Sequence, residues 1–100
     1  MLIVELTYQV ELEEIDRAMK DHVAFLKKQY SAGVFVASGR KIPRDGGVIL
    51  ATGVTREEMD QIMQTDPFCS RGLAEYRIVE FRLSQRAPDL QKLIDNEPSR

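Results

Sequence analysis

The chain has 100 residues, 43% hydrophobic and 30% charged, with a formal net charge of -2. Those totals describe one small globular domain with a modest core, and they lack the basic excess of a nucleic-acid binder. No apolar run approaches the ~20 residues of a membrane span, and one cysteine with one histidine supplies neither an internal disulfide nor a usual zinc set.

The first strand follows Met1 directly, so no secretory leader is expected, and the lone Cys69 suits a reducing cytoplasm. Leu2–Gln9 alternates, with Leu2, Val4, Leu6 and Tyr8 on one side and Ile3, Glu5, Thr7 and Gln9 on the other. That is the period of a strand with one buried face. Glu11–Ala32 has helical spacing. Ile15, Ala18, Met19, His22, Val23, Leu26 and Tyr30 share a stripe opposite Glu13, Glu14, Arg17, Lys20, Asp21, Lys27 and Lys28. Acids stand in its first turn, lysines near its end, and Gly33 follows as a stop.

Val34–Gly39 and Val48–Gly53 read as two strands joined by the polar loop 40–47, an antiparallel hairpin. Both are apolar or small on both faces. With helix enough to cover only one side of a sheet, the other side calls for a second copy of the chain, a homodimer or a higher oligomer. Thr55-Arg56-Glu57-Glu58 is a capping box opening a second helix, with Met59, Ile62 and Met63 inward. That helix stops near Gln64, because Pro67 turns Asp66 away from helical geometry. Phe68 reads as a core plug, followed by one short turn to Gly72. Ala74–Leu83 is the fourth strand. Residues 1–84 thus form one domain, and residues 85–100 a polar extension in which Leu90, Leu93 and Ile94 suit one short docking helix.

The order β-α-β-β-α-β is the ferredoxin-like arrangement, a four-stranded antiparallel sheet with two helices on one face. Two such sheets face to face make a dimeric α+β barrel.

His22 stands in the apolar stripe, where a polar ring requires a hydrogen-bond partner. The topology brings the end of the second helix near the first, so Asp66 is the expected partner, fixing the imidazole tautomer and leaving one nitrogen to move a proton near neutral pH. A satisfied core pair without chemistry is the competing reading. Ser38 and Gly39 end a strand where small residues leave room for a ligand, and Arg40 there suits an anionic group. Arg44 offers the same contacts; the competing reading makes Ser38 a turn cap and both arginines solvated loop residues, and for Arg44 that is the preferred one. Cys69, with no neighbouring cation in sequence, reads as an inert thiol, and Met19, Met59 and Met63 as core fillers. Tyr8 and Tyr76 are candidates to line a pocket. No phosphate loop, nucleophile elbow or metal-ligand cluster is present, so neither cofactor nor metal is expected.

From Leu2 to Leu83 the sequence resembles the YciI-like (YCII-related) proteins. The marks are Asp21-His22-Val23-Ala24-Phe25-Leu26, Ala37-Ser38-Gly39, Gly46-Gly47-Val48-Ile49-Leu50-Ala51 and Asp66-Pro67-Phe68. The resemblance implies a dimeric ferredoxin-like barrel with a His–Asp pair, His22 and Asp66, in a cleft that includes Ser38. Many members carry proline after the glycine of the second mark. Arg40 replaces it here, so any anion-binding role for Arg40 is this sequence's own. One member is a dehydrochlorinase, which implies a scaffold able to support proton transfer and elimination. Three readings follow: a cofactor-free enzyme acting on a small polar or anionic molecule by elimination, isomerisation or hydrolysis; a non-catalytic ligand-binding or regulatory module; and a cofactor-free monooxygenase, supported by fold analogy alone.

Overall fold

The computed structural model describes residues 1–93. Seven elements build the domain: β1 (Leu2–Tyr8), α1 (Leu12–Ser31), β2 (Phe35–Arg40), β3 (Gly46–Ala51), α2 (Arg56–Met63), α3 (Pro67–Ser70) and β4 (Ala74–Glu80). The sheet order is β2-β3-β1-β4 and every pairing is antiparallel. The alternation of β1 places Leu2, Val4 and Leu6 against the helices, where all three are buried. They meet Ile15, Ala18 and Phe25 of α1, Met59 and Met63 of α2, and Phe68 of α3 in one core.

Local chemistry sets the boundaries. Thr55 caps α2: its hydroxyl accepts from the Glu58 amide at 3.0 Å, and the Thr55 amide donates to the Glu58 carboxylate at 2.8 Å. Helix α1 ends where Gly33 adopts φ 77°. The Gly33 amide then donates to the Tyr30 carbonyl and the Val34 amide to the Gln29 carbonyl, both at 3.0 Å, a left-handed closure that favours glycine. Pro67 interrupts the second helical segment, so α2 and α3 are separate, with Asp66 capping α3.

The four expected strands and the two expected helices of the domain are present, with shifted edges. Strand β3 begins two residues earlier than the apolar run, at Gly46, because Gly46 and Gly47 pair with Thr7 and Leu6. It also ends earlier, since the Thr52 amide turns to the Val34 carbonyl. Strand β4 stops at Glu80, opposite Leu2, where its partner runs out. In the C-terminal extension Pro88–Leu93 forms a 3-10 turn in place of the docking helix, and Ile94 lies outside the described residues.

The buried residues of α1 are Ile15, Ala18, Phe25 and Gln29, a stripe rotated from the expected one. Tyr30 is exposed, and Met19, His22, Val23 and Leu26 are only half-buried. The second sheet face carries Ile3 and Glu5 of β1, with Leu50, Val48, Val79 and Arg77 as their cross-strand neighbours. Val48 and Val79 are exposed there. Glu5 takes Arg77 Nε at 2.7 Å and Lys41 Nζ at 3.2 Å, and these bonds hold its carboxyl below the usual range.

Candidate active site

A cavity of about 250 Å³ opens between α1 and the β2–β3 hairpin. Helix α1 lines it with Met19, His22, Val23 and Leu26, the half-buried side that the rotated stripe leaves free. Leu6 and Tyr8 of β1, Ile49 of β3 and Phe68 of α3 form further wall, and Ser38, Gly39, Arg40 and Arg44 border the hairpin side. The helix thus divides its apolar surface: Ile15, Ala18 and Phe25 enter the core, and the neighbouring positions Met19, Val23 and Leu26 face a cavity.

His22 sits on that division. Its side chain is 12% exposed, and Nδ1 lies 2.8 Å from Oδ1 of Asp66, which is fully buried. The same Oδ1 accepts the Phe68 amide at 3.1 Å, and Cys69 Sγ approaches Oδ2 at 3.9 Å. Three donors converging on one carboxyl suit the ionised, acceptor-only form. With Nδ1 donating to that carboxylate, Nε2 is the ring nitrogen left to take or give a proton. Phe68 stacks on the imidazole with centroids 3.9 Å apart and planes 4° from parallel. Tyr8 meets the Phe68 ring edge-on at 5.9 Å. The ring is therefore fixed at its edge by Asp66 and at its face by Phe68, both from the corner 66–68.

The predicted residues converge. Ser38, Gly39 and Arg40 border the same cavity as His22, with Asp66 directly behind the ring. The Ser38 hydroxyl is engaged with the Tyr30 hydroxyl at 2.6 Å. Arg44 departs from the solvated-loop expectation: it borders the cavity, donates to Asp16 Oδ1 at 2.5 Å, and is held above the ordinary arginine range chiefly by that bond. The loop length of 40–47 gave no indication of which side Arg44 would turn to. An acid at position 16, on the polar side of α1, was the only available signal. Tyr8 lines the cavity, whereas Tyr76 lies elsewhere, bonded to Asp60 of α2. Burial, and then the nearby Asp66 carboxylate, push the Cys69 thiol up to about 12, the inert state expected of it. Among the described residues no three of His, Cys, Asp and Glu are grouped where they could hold a metal ion, and no helix is long and apolar enough to cross a membrane.

With that geometry in hand, the chain can be placed among known proteins. Its structure is similar to 5-chloro-2-hydroxyhydroquinone dehydrochlorinase (TftG) from Burkholderia phenoliruptrix AC1100, solved in complex with 2,5-dihydroxybenzoquinone. The TM-score is 0.68 at 15% sequence identity, over 82% of this chain and 94% of that one. At that identity the likeness establishes a shared α+β fold. No curated protein sequence gives a significant match. The model of the YCII-related domain matches residues 1–82, most of the length and every element of the sheet, and the chain belongs to the YCII-related domain family.

Proposed function

We propose that the protein is a small cofactor-free enzyme that moves protons on a small polar or anionic molecule. One observation carries the reading: an imidazole locked by a buried carboxylate and an aromatic plate lines a cavity. His22 acts as general acid/base through Nε2, and Asp66 is a positioning residue that sets the tautomer. Ser38, Gly39 and Arg40 border the substrate. A neutral Nε2 removes a proton from an acidic O–H or C–H of the bound molecule, and the imidazolium returns it to another atom or to water. Where the substrate carries a leaving group beta to the new charge, the same step gives elimination. The structural likeness to a dehydrochlorinase supports this class of chemistry.

The test uses 2,5-dihydroxybenzoquinone, whose ring C–H is exchangeable through its keto tautomer. Wild-type protein is expected to accelerate exchange of that proton with heavy water, followed by NMR. His22→Gln should abolish the acceleration with the fold intact by circular dichroism. Asp66→Asn should lower the rate and change its pH profile. Binding without accelerated exchange refutes the enzyme reading and leaves a ligand-binding module.

We also infer that the second face of the sheet, where Ile3, Val48, Leu50 and Val79 lie beside the Glu5–Arg77 pair, is covered by another copy, giving a homodimer. The exposed Val48 and Val79, flanking Ile3 and Leu50, support it. Sedimentation at micromolar concentration should give about twice the chain mass, and Val79→Asp should halve it. A wild-type monomer refutes this inference.

A further inference from the structure

The cavity wall carries charge of one sign. Arg40 and Arg44 border it, and among the described residues no aspartate or glutamate lines it. Asp66, the acid behind the imidazole, is fully buried and already meets three donors. The two arginines differ in their restraint. Arg44 is tied to Asp16, with the Tyr8 hydroxyl close to its guanidinium. Arg40, by contrast, has no side-chain hydrogen bond or ion pair among the described residues, although it stands at the end of β2 beside the cavity. An unengaged guanidinium fork beside an apolar wall fits planar anions with two oxygens. That wall is supplied by Leu6, Met19, Leu26 and Phe68. A volume of about 250 Å³ lies below the ~300–1,000 Å³ typical of drug-sized ligands, so it admits one ring or a short chain.

We propose that Arg40 and Arg44 form an anion clamp that restricts the site to small planar anions. The ligand class is an apolar ring or alkenyl body bearing a two-oxygen anionic end, either a carboxylate or an ionised hydroxyl beside a carbonyl. Arg40 supplies the bidentate fork. Arg44, oriented by Asp16, supplies the second positive charge. The inference rests on His22 as the proton-transfer group and adds which molecules reach it.

Calorimetric titration of the full chain with benzoate, 2,5-dihydroxybenzoquinone and neutral benzamide tests the clamp. At least one of the two anions should bind, and benzamide should bind at least about tenfold more weakly. The two anions separate a carboxylate preference from a preference for hydroxyquinones. Arg40→Gln should weaken anion binding roughly tenfold to a hundredfold while leaving benzamide unchanged. Arg40→Lys should fall between, and Asp16→Asn should weaken the anion less than Arg40→Gln does. His22→Gln should retain the anion preference. Equal affinity for benzamide, an Arg40→Gln variant that binds anions as wild type does, or no anion bound at millimolar concentration overturns the clamp. Lost anion preference with His22-dependent proton exchange intact overturns the clamp alone. An intact clamp with His22-independent exchange overturns the proton-transfer reading alone.

Discussion

Replacing Asp66 by alanine strikes three contacts with one substitution. The carboxylate is wholly buried, and its Oδ1 serves both His22 Nδ1 at 2.8 Å and the Phe68 amide at 3.1 Å. Loss of the α3 cap costs about 0.5–2 kcal/mol, on the scale of other Asp caps. Leaving the imidazole N–H without an acceptor costs about 1–3 kcal/mol more, and the two overlap because one oxygen provides both. Asp66→Ala should therefore destabilise the domain by roughly 2–4 kcal/mol, lowering Tm by about 10–25 °C for a chain of this size. Asp66→Asn keeps the volume and one acceptor for the Phe68 amide, and should cost about 1–2 kcal/mol. Urea unfolding followed by far-ultraviolet circular dichroism measures both, with an unchanged slope confirming that the native state alone is affected. A double-mutant cycle with His22→Gln isolates the pair, with an expected coupling of about 1–2 kcal/mol. A coupling under about 0.5 kcal/mol, or an Asp66→Ala cost under about 1 kcal/mol, would refute the account of Asp66 as the anchor of the ring.

Phe68→Ala removes a core residue that also backs the imidazole, and should cost about 3–5 kcal/mol by thermal unfolding; a loss near 1 kcal/mol would mean the stack bears little weight. The two glycines flanking the hairpin loop should differ sharply. A Cβ at Gly46 would sit 1.8 Å from the Leu6 carbonyl oxygen, so Gly46→Ala should disrupt the β1–β3 pairing and the yield of folded protein. At Gly39 nothing lies within 4 Å, so Gly39→Ala should leave Tm unchanged or slightly raised. Cys69 gives a pH prediction. Unfolded, its thiol loses a proton near 9.0, whereas burial and Asp66 hold the native thiol protonated to about 12. The stability tied to the protonated thiol is whole below pH 9 and declines from there to about 12. Cys69→Ser should flatten that decline by up to ~1.4 kcal/mol per pH unit, measured as urea midpoints across the range. Tyr76, whose phenol is pushed up to about 12 chiefly by burial and Asp60 and only last by Cys69, contributes in both proteins, so identical slopes would contradict the buried-thiol account.

The sheet was legible because each strand followed a local rule, alternation in β1 and β4 and apolar runs in β2 and β3, and the capping box marked the start of α2. The edges were less so. Thr52 and Gly53 read as strand residues by composition, yet the Thr52 amide bonds to Val34, a contact between segments that sequence spacing does not encode. The phase of α1 was also misread. Counting from Ile15, both 15-18-22-25-29 and 15-19-22-26-30 are helical stripes, and only packing against the sheet selects the first. The ambiguity bears on the site, because His22 belongs to both stripes. It therefore touches the core partner on one side and the cavity on the other. The His22–Asp66 pair was foreseeable from topology, while the partnership of Arg44 with Asp16 depends on how the hairpin loop folds back onto α1.

The corner at positions 66–68 settles the imidazole before any ligand arrives. One short tripeptide grips the ring at its rim and across its plane, so docking asks for no further ordering of the base. The arginine at position 40 is the reverse case, a long side chain whose immobilisation costs about 0.5–1.5 kcal/mol at the moment of contact. On the proposed reading, affinity and chemistry are thereby housed in separate parts of the fold. If both proposals hold, the pocket's choice of guest can drift through residue 40 while the imidazole, fastened by the corner 66–68, stays as it was.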